Sequence, residues 1–287
     1  MMEVDYLSDV VEGRTNGVAK LEDLPKYENP PVIEVVCGVQ FNPLENLTGP
    51  QLGLFWKRLK PDYPICREMP PLTPAVERFE GEPGIKLEFT NIPPMPRYWF
   101  THKAQNGIVQ VQRDRFLHNW KKVKPDEPYP HYDSVIKTFR DQLDSFEVFL
   151  RESEIGGLQA YQYELTYVNH IPQGDGWNDL PEVGNVFPAF ASQESCHQTF
   201  LPKCEVINWR TTFRMPENKG RLHASLSQGA VDEKPLLNLN MTARGMPSDS
   251  SRDAMWEWFD LAHTWIVRGF ADLTSEEQQR DVWRRIQ

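Results

Sequence analysis

The stretch IEVVCGVQF, residues 33–41, places an apolar side chain at every second position, which is the pattern of a strand with one buried face. A second stretch, YELTYVNHI, occupies residues 163–171 and has a similar strand-like alternation. Aligned with each other, the two place Glu34 against Glu164, 130 positions later, and Gln40 against His170 at the same offset. This offset is too long for a solenoid repeat and is typical of duplicated half-domains.

A second pair of segments supports the same duplication. The segment IVQVQ, residues 108–112, aligns with LLNLN, residues 236–240, and both carry an amide at every second position. Asn240 lies 128 positions after Gln112, close to the offset of the first pair. We therefore predict two copies of one α+β unit, residues 32–152 and 158–272.

In the first half, the sequence pattern predicts strands followed by a long helix. A short helix is expected after Pro50, followed between residues 75 and 122 by the strand-like runs VERFE, IKLEF, RYWFTH, IVQVQR and FLHNWKK. Asn106-Gly107 lies between two of these runs and is a strong hairpin signal. A helix capped near Asp133 then shows an apolar stripe that includes Phe139, Leu143 and Phe146, which we expect to face the sheet.

The second half repeats this order with variations. It predicts a strand over residues 158–171, a weakly helical run, three strands over residues 205–215, 221–230 and 236–244, and a long helix that buries Phe259, Ala262 and Ile266. Hairpin-rich strands with helices at the ends of the run predict an antiparallel α+β fold. We expect a polar leader over residues 1–29, a first half over residues 30–157 and a second half over residues 158–287.

Composition and charge narrow the classes of function. The chain has 31 Lys and Arg against 41 Asp and Glu, a net charge of -10, which disfavours nucleic acid as a partner. Its four cysteines follow no disulfide framework, and no run approaches the length of a membrane span. The acidic start does not resemble a signal peptide. We therefore expect a cytoplasmic protein of bacterial type without membrane association or a cofactor.

The candidate binding residues are polar side chains that recur at strand positions in both halves. Because strand side chains alternate in direction, they are expected to line one sheet face, opposite the helices. Replacing Gln112 and Asn240 by alanine is expected to leave the melting temperature nearly unchanged, since exposed polar positions contribute little to stability. One interpretation is a surface that binds a ligand or a peptide, and the other is an ordinary solvated sheet face. The residues are Glu34, Gln40, Gln110, Gln112, Glu164, His170, Asn238 and Asn240.

Two other groups of residues suggest catalysis or metal binding only weakly. Asp114 and His118 have the residue types of a general acid-base pair, but no third group is identifiable. Cys196, His197 and Cys204 are of zinc-ligating types, yet their spacing fits no zinc motif, and we expect no metal.

Four blocks of the chain, together covering most of residues 30–283, resemble a sporadically distributed bacterial family of unassigned function. They are PPVIEVVCGVQF at residues 30–41, VQVQRDRFLHNW at 109–120, ELTYVNHI at 164–171 and HTWIVRGF at 263–270. The resemblance implies no catalytic residues. The patchy distribution of the family implies an association with mobile or defence loci.

Two functions follow as hypotheses. The first is a non-enzymatic binding protein, an accessory, antitoxin-like or sensor component that holds a protein partner or a small ligand on the polar sheet face. The second is a small-molecule enzyme with a pocket between the two halves, in which Glu164, His170 or the Asp114 and His118 pair supplies acid-base groups. The absence of a recognised catalytic motif favours the first hypothesis.

Overall fold

A computed structural model describes residues 23–79, 95–191, 204–246, 249 and 251–287. Nine strands form one antiparallel sheet with the order β2-β3-β4-β5-β1-β6-β9-β8-β7. The strands are β1 (Val32–Phe41), β2 (Ile65–Met69), β3 (Arg97–Thr101), β4 (Gly107–Gln112), β5 (Arg115–Lys121), β6 (Ala160–Pro172), β7 (Asn208–Arg214), β8 (Arg221–Val231) and β9 (Lys234–Gly245). The predicted antiparallel α+β class is confirmed.

The described helices are α1 (Gly49–Leu59), α2 (His131–Glu152), the single turn α3 (Val183–Val186) and α4 (Arg252–Leu273). Three of them, α1, α2 and α4, pack on one face of the sheet. Contacts run from α1 to β3, from α2 to β1 and β5, and from α4 to β6, β8 and β9. Within the described ranges, none of the helices is both long and apolar enough to cross a membrane.

Helices α2 and α4 pack against each other in opposite directions. Tyr132 near the start of α2 stacks on His263 in the second half of α4, whereas Glu147 near the end of α2 pairs with Arg252 at the start of α4. Between these contacts the ring of Phe139 lies 5.3 Å from that of Phe259. The apolar stripes predicted for both helices are buried, as expected of helices that cover a sheet.

Strands β1 and β6 meet at the middle of the sheet and join the two halves. Val36 pairs with Thr166, and the pairing continues on both sides of this point. Moving outward, β1 is followed by β5, β4 and β3, and β6 is followed by β9, β8 and β7. This order makes β5 the counterpart of β9. The alignment of residues 108–112 with 236–240 was therefore wrong as a strand correspondence, since it matches β4 with β9. The duplication itself stays a prediction.

Several local predictions are refined. The Asn106-Gly107 hairpin is present between β3 and β4, but residues 102–106 form a longer turn in which Gln105 has a φ of 62°. Strand β2 was not predicted. The run VERFE was predicted as a strand, yet its described residues 76–79 belong to no strand, and IKLEF lies outside the described residues.

Candidate functional site

The sheet face opposite the helices, called here the polar sheet face, carries most of the predicted binding residues. Strand pairing places one row of side chains straight across it from β3 to β7. The row consists of Trp99, Gln110, Leu117, Gly38, Glu164, Arg244, Arg221 and Arg214. This face therefore joins residues of both halves on a single surface.

The first-half part of the polar sheet face is buried rather than solvated. Gln40, Gln110 and Gln112 are only 2%, 4% and 4% exposed. The expectation that these three amides lie exposed was therefore wrong. Because an unbonded buried amide is costly, each of them is held by partners within the protein.

A chain of hydrogen bonds links four strands, from Arg97 on β3 to Glu34 on β1. Arg97 donates to Gln110 at 2.8 Å, and Gln110 donates to Asn119 at 2.6 Å. Asn119 then donates to the carboxylate of Glu34 at 2.6 Å. All bonds run from the cation to the anion, which fixes the orientation of both amides.

An extended segment, residues 70–79, crosses the polar sheet face and is called here the strap. It follows β2 and runs over β4, β5, β6, β9 and β8 without joining a strand ladder. Gln112 accepts a hydrogen bond from the main-chain N–H of Leu72 at 3.0 Å and donates to the carbonyl of Leu72 at 3.1 Å. One side-chain amide thus exchanges both bonds with one residue, as an antiparallel strand partner would.

Gln162 on β6 holds the strap in a related way. Its Oε1 atom accepts from the main-chain N–H of Glu77 at 2.7 Å, and its Nε2 atom donates to the carbonyl of Ala75. Between these two glutamines, Arg115 donates to the carbonyl of Thr73 at 3.4 Å. Side chains of the sheet therefore contact mainly the main chain of the strap.

The second half holds the strap through the carboxylate of Glu77. This group accepts from Arg221 at 2.7 Å and from His223 at 2.6 Å, and it lies 3.5 Å from Arg244. Burial raises the pKa of Glu77, but the bonds from His223 and Arg221 and the charge of Arg244 outweigh it and hold the pKa at about 2. Glu77 is therefore a buried anion fixed by three basic side chains.

The second-half part of the polar sheet face is more open. Glu164, His170, Asn238 and Asn240 are half-buried. Glu164 accepts from Arg244 at 2.7 Å, and burial lowers the pKa of His170. Asn238, opposite His170 in the sheet, has a buried side-chain oxygen that accepts no hydrogen bond. This part of the surface keeps unused hydrogen-bonding capacity.

The suggested pair of Asp114 and His118 is not brought together. Asp114 lies in the turn before β5 and accepts from Gln112 on the polar sheet face, whereas His118 pairs with Cys37 on the helix-covered face. His118 is buried, and this burial lowers its pKa to about 4. These positions do not form a base and its orienting partner.

The hypothesis of a zinc site gains no support from the described residues. Cys196 and His197 lie outside them, and the exposed Cys204 donates a weak bond to the carbonyl of Val206 at 3.1 Å. In the ranges that the structure covers, no three His, Cys, Asp or Glu side chains are grouped as metal ligands.

A cavity of about 640 Å³ lies on the opposite side of the sheet, between α2, α4 and residues 24–32. It joins the two halves, because α2 belongs to the first and α4 to the second. Its lining includes Tyr27, Tyr129, Tyr132, Tyr167, Asn169 and His263. The acid-base residues named for a pocket between the halves, Glu164, His170, Asp114 and His118, do not line it.

The polar groups of this cavity form one connected chain. The hydroxyls of Tyr129 and Tyr167 are 2.8 Å apart, and that of Tyr167 lies 3.0 Å from Nδ1 of His263. Tyr132 stacks on His263 with a ring separation of 4.0 Å and donates to Asp260 at 2.9 Å. Burial lowers the pKa of His263 to about 3 and raises those of Tyr129 and Tyr167. At neutral pH the imidazole is therefore uncharged.

Sequence reasoning selected Gln112 but missed other residues that fasten the strap to the sheet. Gln162, Glu77 and His223 were not among the candidates, although Gln162 shares the alternation that selected Glu164. For Glu77 and His223 the chain carries no such signal, because 146 residues separate them and only the fold brings them together.

No protein-family model, curated protein or solved structure gave a significant match to this chain.

Proposed function

We propose that the protein is a non-enzymatic binding protein that holds an extended segment of a protein partner on the polar sheet face. The observation that supports this most strongly is the bonding of Gln112 to both main-chain groups of Leu72. Side-chain amides that bond to a main chain recognise an extended polypeptide independently of its side chains. The strap is an internal example of this recognition.

The partner segment is proposed to lie beside the strap, over β6, β9 and β8. Asn238 and Asn240 lie two positions apart on β9 and carry the same amide group as Gln112 and Gln162. Asn238 pairs with His170 and Ser227, and Asn240 pairs with Val168 and Ser225. The side-chain oxygen of Asn238 is buried and unbonded, and rotation of this side chain would turn it towards a main-chain N–H of the partner.

Random peptides displayed on phage and selected on the immobilised protein provide the test. A selected peptide is expected to bind the double variant Asn238→Ala, Asn240→Ala about tenfold more weakly, since two amide contacts are lost. The matched control is Asn185→Ala, an exposed asparagine in α3. N-methylation of single peptide amides is expected to reduce affinity at the contacting positions.

Failure to enrich any peptide, or equal affinity for the double variant and the control, contradicts the proposal. Both variants are first compared with the parent protein by circular dichroism and thermal unfolding. Asn238 and Asn240 are half-buried, so this comparison separates lost binding from lost folding.

The second candidate function is an enzyme acting on a small molecule in the cavity between α2 and α4. The chain of Tyr129, Tyr167 and His263 favours it, because an uncharged imidazole bonded to a tyrosine has the residue types needed for proton transfer. Metabolites that stabilise the protein against heat would be tested for turnover by NMR. Turnover that is lost in His263→Gln and kept in the Asn238 and Asn240 double variant would favour the enzyme over the peptide-binding protein.

A further inference from the structure

Two arginines lie two strands apart on the polar sheet face, on either side of Gln112. Arg115 pairs with Gln112, and Arg97 precedes Tyr98, whose partner Val111 is the neighbour of Gln112. Adjacent strands are spaced by about 4.8 Å, so the two backbones are about 10 Å apart. Long arginine side chains bridge much of this distance. In keeping with this, burial and the charge of Arg115 both lower the pKa of Arg97.

The hydrogen-bonding capacity of these side chains is not used up. Arg115 is 5% exposed and donates through one terminal nitrogen to Gln40 and Thr73, while its Nε atom has no acceptor. The buried Nε atom of Arg97 also lacks an acceptor, as does the indole Nε1 of Trp99. The guanidinium of Arg97 lies 5.1 Å from the centre of the Trp99 ring. Three buried N–H donors without acceptors thus lie on β3 and β5, the two strands that flank β4.

Charge compensation is incomplete at this place. Within the described parts of the chain, neither Arg97 nor Arg115 forms an ion pair with a carboxylate. Two carboxylates reach this place only indirectly. Glu34 is linked to Arg97 through Gln110 and Asn119, and Asp114 accepts from Gln112, which lies between the two arginines. Arg115 is buried and Arg97 is half-buried, and withdrawing cations from water without a paired anion costs free energy.

We propose that Arg97, Arg115 and Trp99 form a binding site for a phosphate group. A phosphate brings negative charge and several acceptor oxygens, which match two guanidinium groups and an indole N–H that have only donors to offer. The site lies in the first half, bordered by the carbonyl of Thr73 in the strap. It is therefore independent of the proposed peptide surface on β6, β9 and β8.

Calorimetric titration with inorganic phosphate, in a sodium chloride background of matched ionic strength, tests the site. Arg97→Gln and Arg115→Gln are each expected to weaken phosphate binding by about tenfold or more, because each removes a charge-assisted contact. Trp99→Phe keeps an aromatic ring but removes the indole N–H, so a smaller loss is expected. The matched control is Arg67→Gln, an exposed arginine of the neighbouring strand β2 that pairs with Trp99, and it is expected to bind like the parent.

The conservative variant Arg115→Lys covers the case in which Arg115→Gln does not fold. It keeps the charge but lacks the planar set of N–H donors, so it is expected to weaken phosphate binding while the fold persists. A parallel titration with O-phosphoserine identifies the source of the phosphate, since tighter binding than inorganic phosphate indicates a phosphorylated protein and weaker binding indicates the free ion. Absence of phosphate binding to the parent protein, or equal binding by Arg115→Lys, Arg97→Gln and Arg67→Gln, overturns the proposal.

Discussion

The side-chain amide of Gln112 bonds to both main-chain groups of Leu72, accepting from its nitrogen at 3.0 Å and donating to its oxygen at 3.1 Å. Forty residues separate the two in the chain, so this contact fastens the strap to β4. Gln162 repeats the arrangement on β6 with the main chain around Val76. On the polar sheet face, glutamine side chains thus bind the main chain of the strap.

Replacement of Gln112 by alanine is expected to lower the free energy of unfolding by about 2 kcal/mol or more, because both main-chain groups of Leu72 lose their partner. This corrects the expectation, drawn from the sequence, that the position tolerates such a change. Chemical denaturation measures it, with Gln159→Ala as the control. The exposed side chain of Gln159 bonds to Asn42, so its loss is expected to cost below about 0.5 kcal/mol. Equal effects of the two substitutions would show that the strap adds little stability.

Glu77 is expected to make stability depend on acid pH. Its pKa is held at about 2 in the folded protein, against an ordinary value of 4.5. A lowered folded pKa contributes stability that is complete above the ordinary value and is lost as pH falls from about 4.5 to about 2. The contribution is on the order of 3 kcal/mol. Denaturation curves of the parent protein and Glu77→Gln are expected to converge across this window, and a constant gap between them would contradict the ion cluster.

His263 is expected to stay uncharged well below its ordinary pKa of 6.5, since burial lowers its pKa to about 3. Between these two values the unfolded chain binds one more proton than the folded protein. The free energy of unfolding therefore decreases by about 1.4 kcal/mol for each unit by which the pH is lowered in that window. NMR of the imidazole nitrogens follows the group directly. A neutral ring at pH 5 agrees with the buried chain from Tyr129 to His263, whereas titration near 6.5 would mean that water reaches the ring.

Phe139 on α2 is expected to be an anchor of the packing between the two halves. It is fully buried, with its ring 6.2 Å from Phe116 of the first half and 5.3 Å from Phe259 of the second. Phe139→Ala is expected to cost about 3–5 kcal/mol, because the surroundings of a deleted ring relax only in part. The neighbouring exposed Thr138→Ala provides the control in chemical denaturation. A loss below about 1 kcal/mol at Phe139 would contradict its place in the core.

The sequence predicted the strands and helices of this fold better than it predicted what covers the polar sheet face. Alternation in residues 33–41 and the stripe around Phe139 follow from local geometry, so strands, long helices and the antiparallel class were predictable. The strap was not predictable. Residues 70–75 follow neither period, and the alternation of residues 76–79 predicted a strand, whereas contacts with strands distant in sequence hold this segment outside any ladder. The polar alternation of Gln110 and Gln112 was visible, but their burial depends on what crosses the sheet.

The cavity and the cluster around Glu77 lie beyond sequence reasoning for the same physical reason. Tyr129, Tyr167 and His263 are spread over 135 positions and meet only where α2 and α4 cross the sheet centre. Each alone is an ordinary buried aromatic residue. Likewise, Arg97 and Arg115 have ordinary surroundings in the sequence, and their unbonded N–H donors become visible only once the strands are paired.

The most direct test of the central claim is NMR of the side-chain amide groups of Asn238 and Asn240 while a phage-selected peptide is added. Bonding of these amides to the peptide main chain predicts that their signals shift in proportion to occupancy, while the signal of the control Asn185 stays in place. Unchanged signals of Asn238 and Asn240 at saturation, with shifts instead at Tyr167 and His263 around the cavity, would contradict peptide recognition by the polar sheet face.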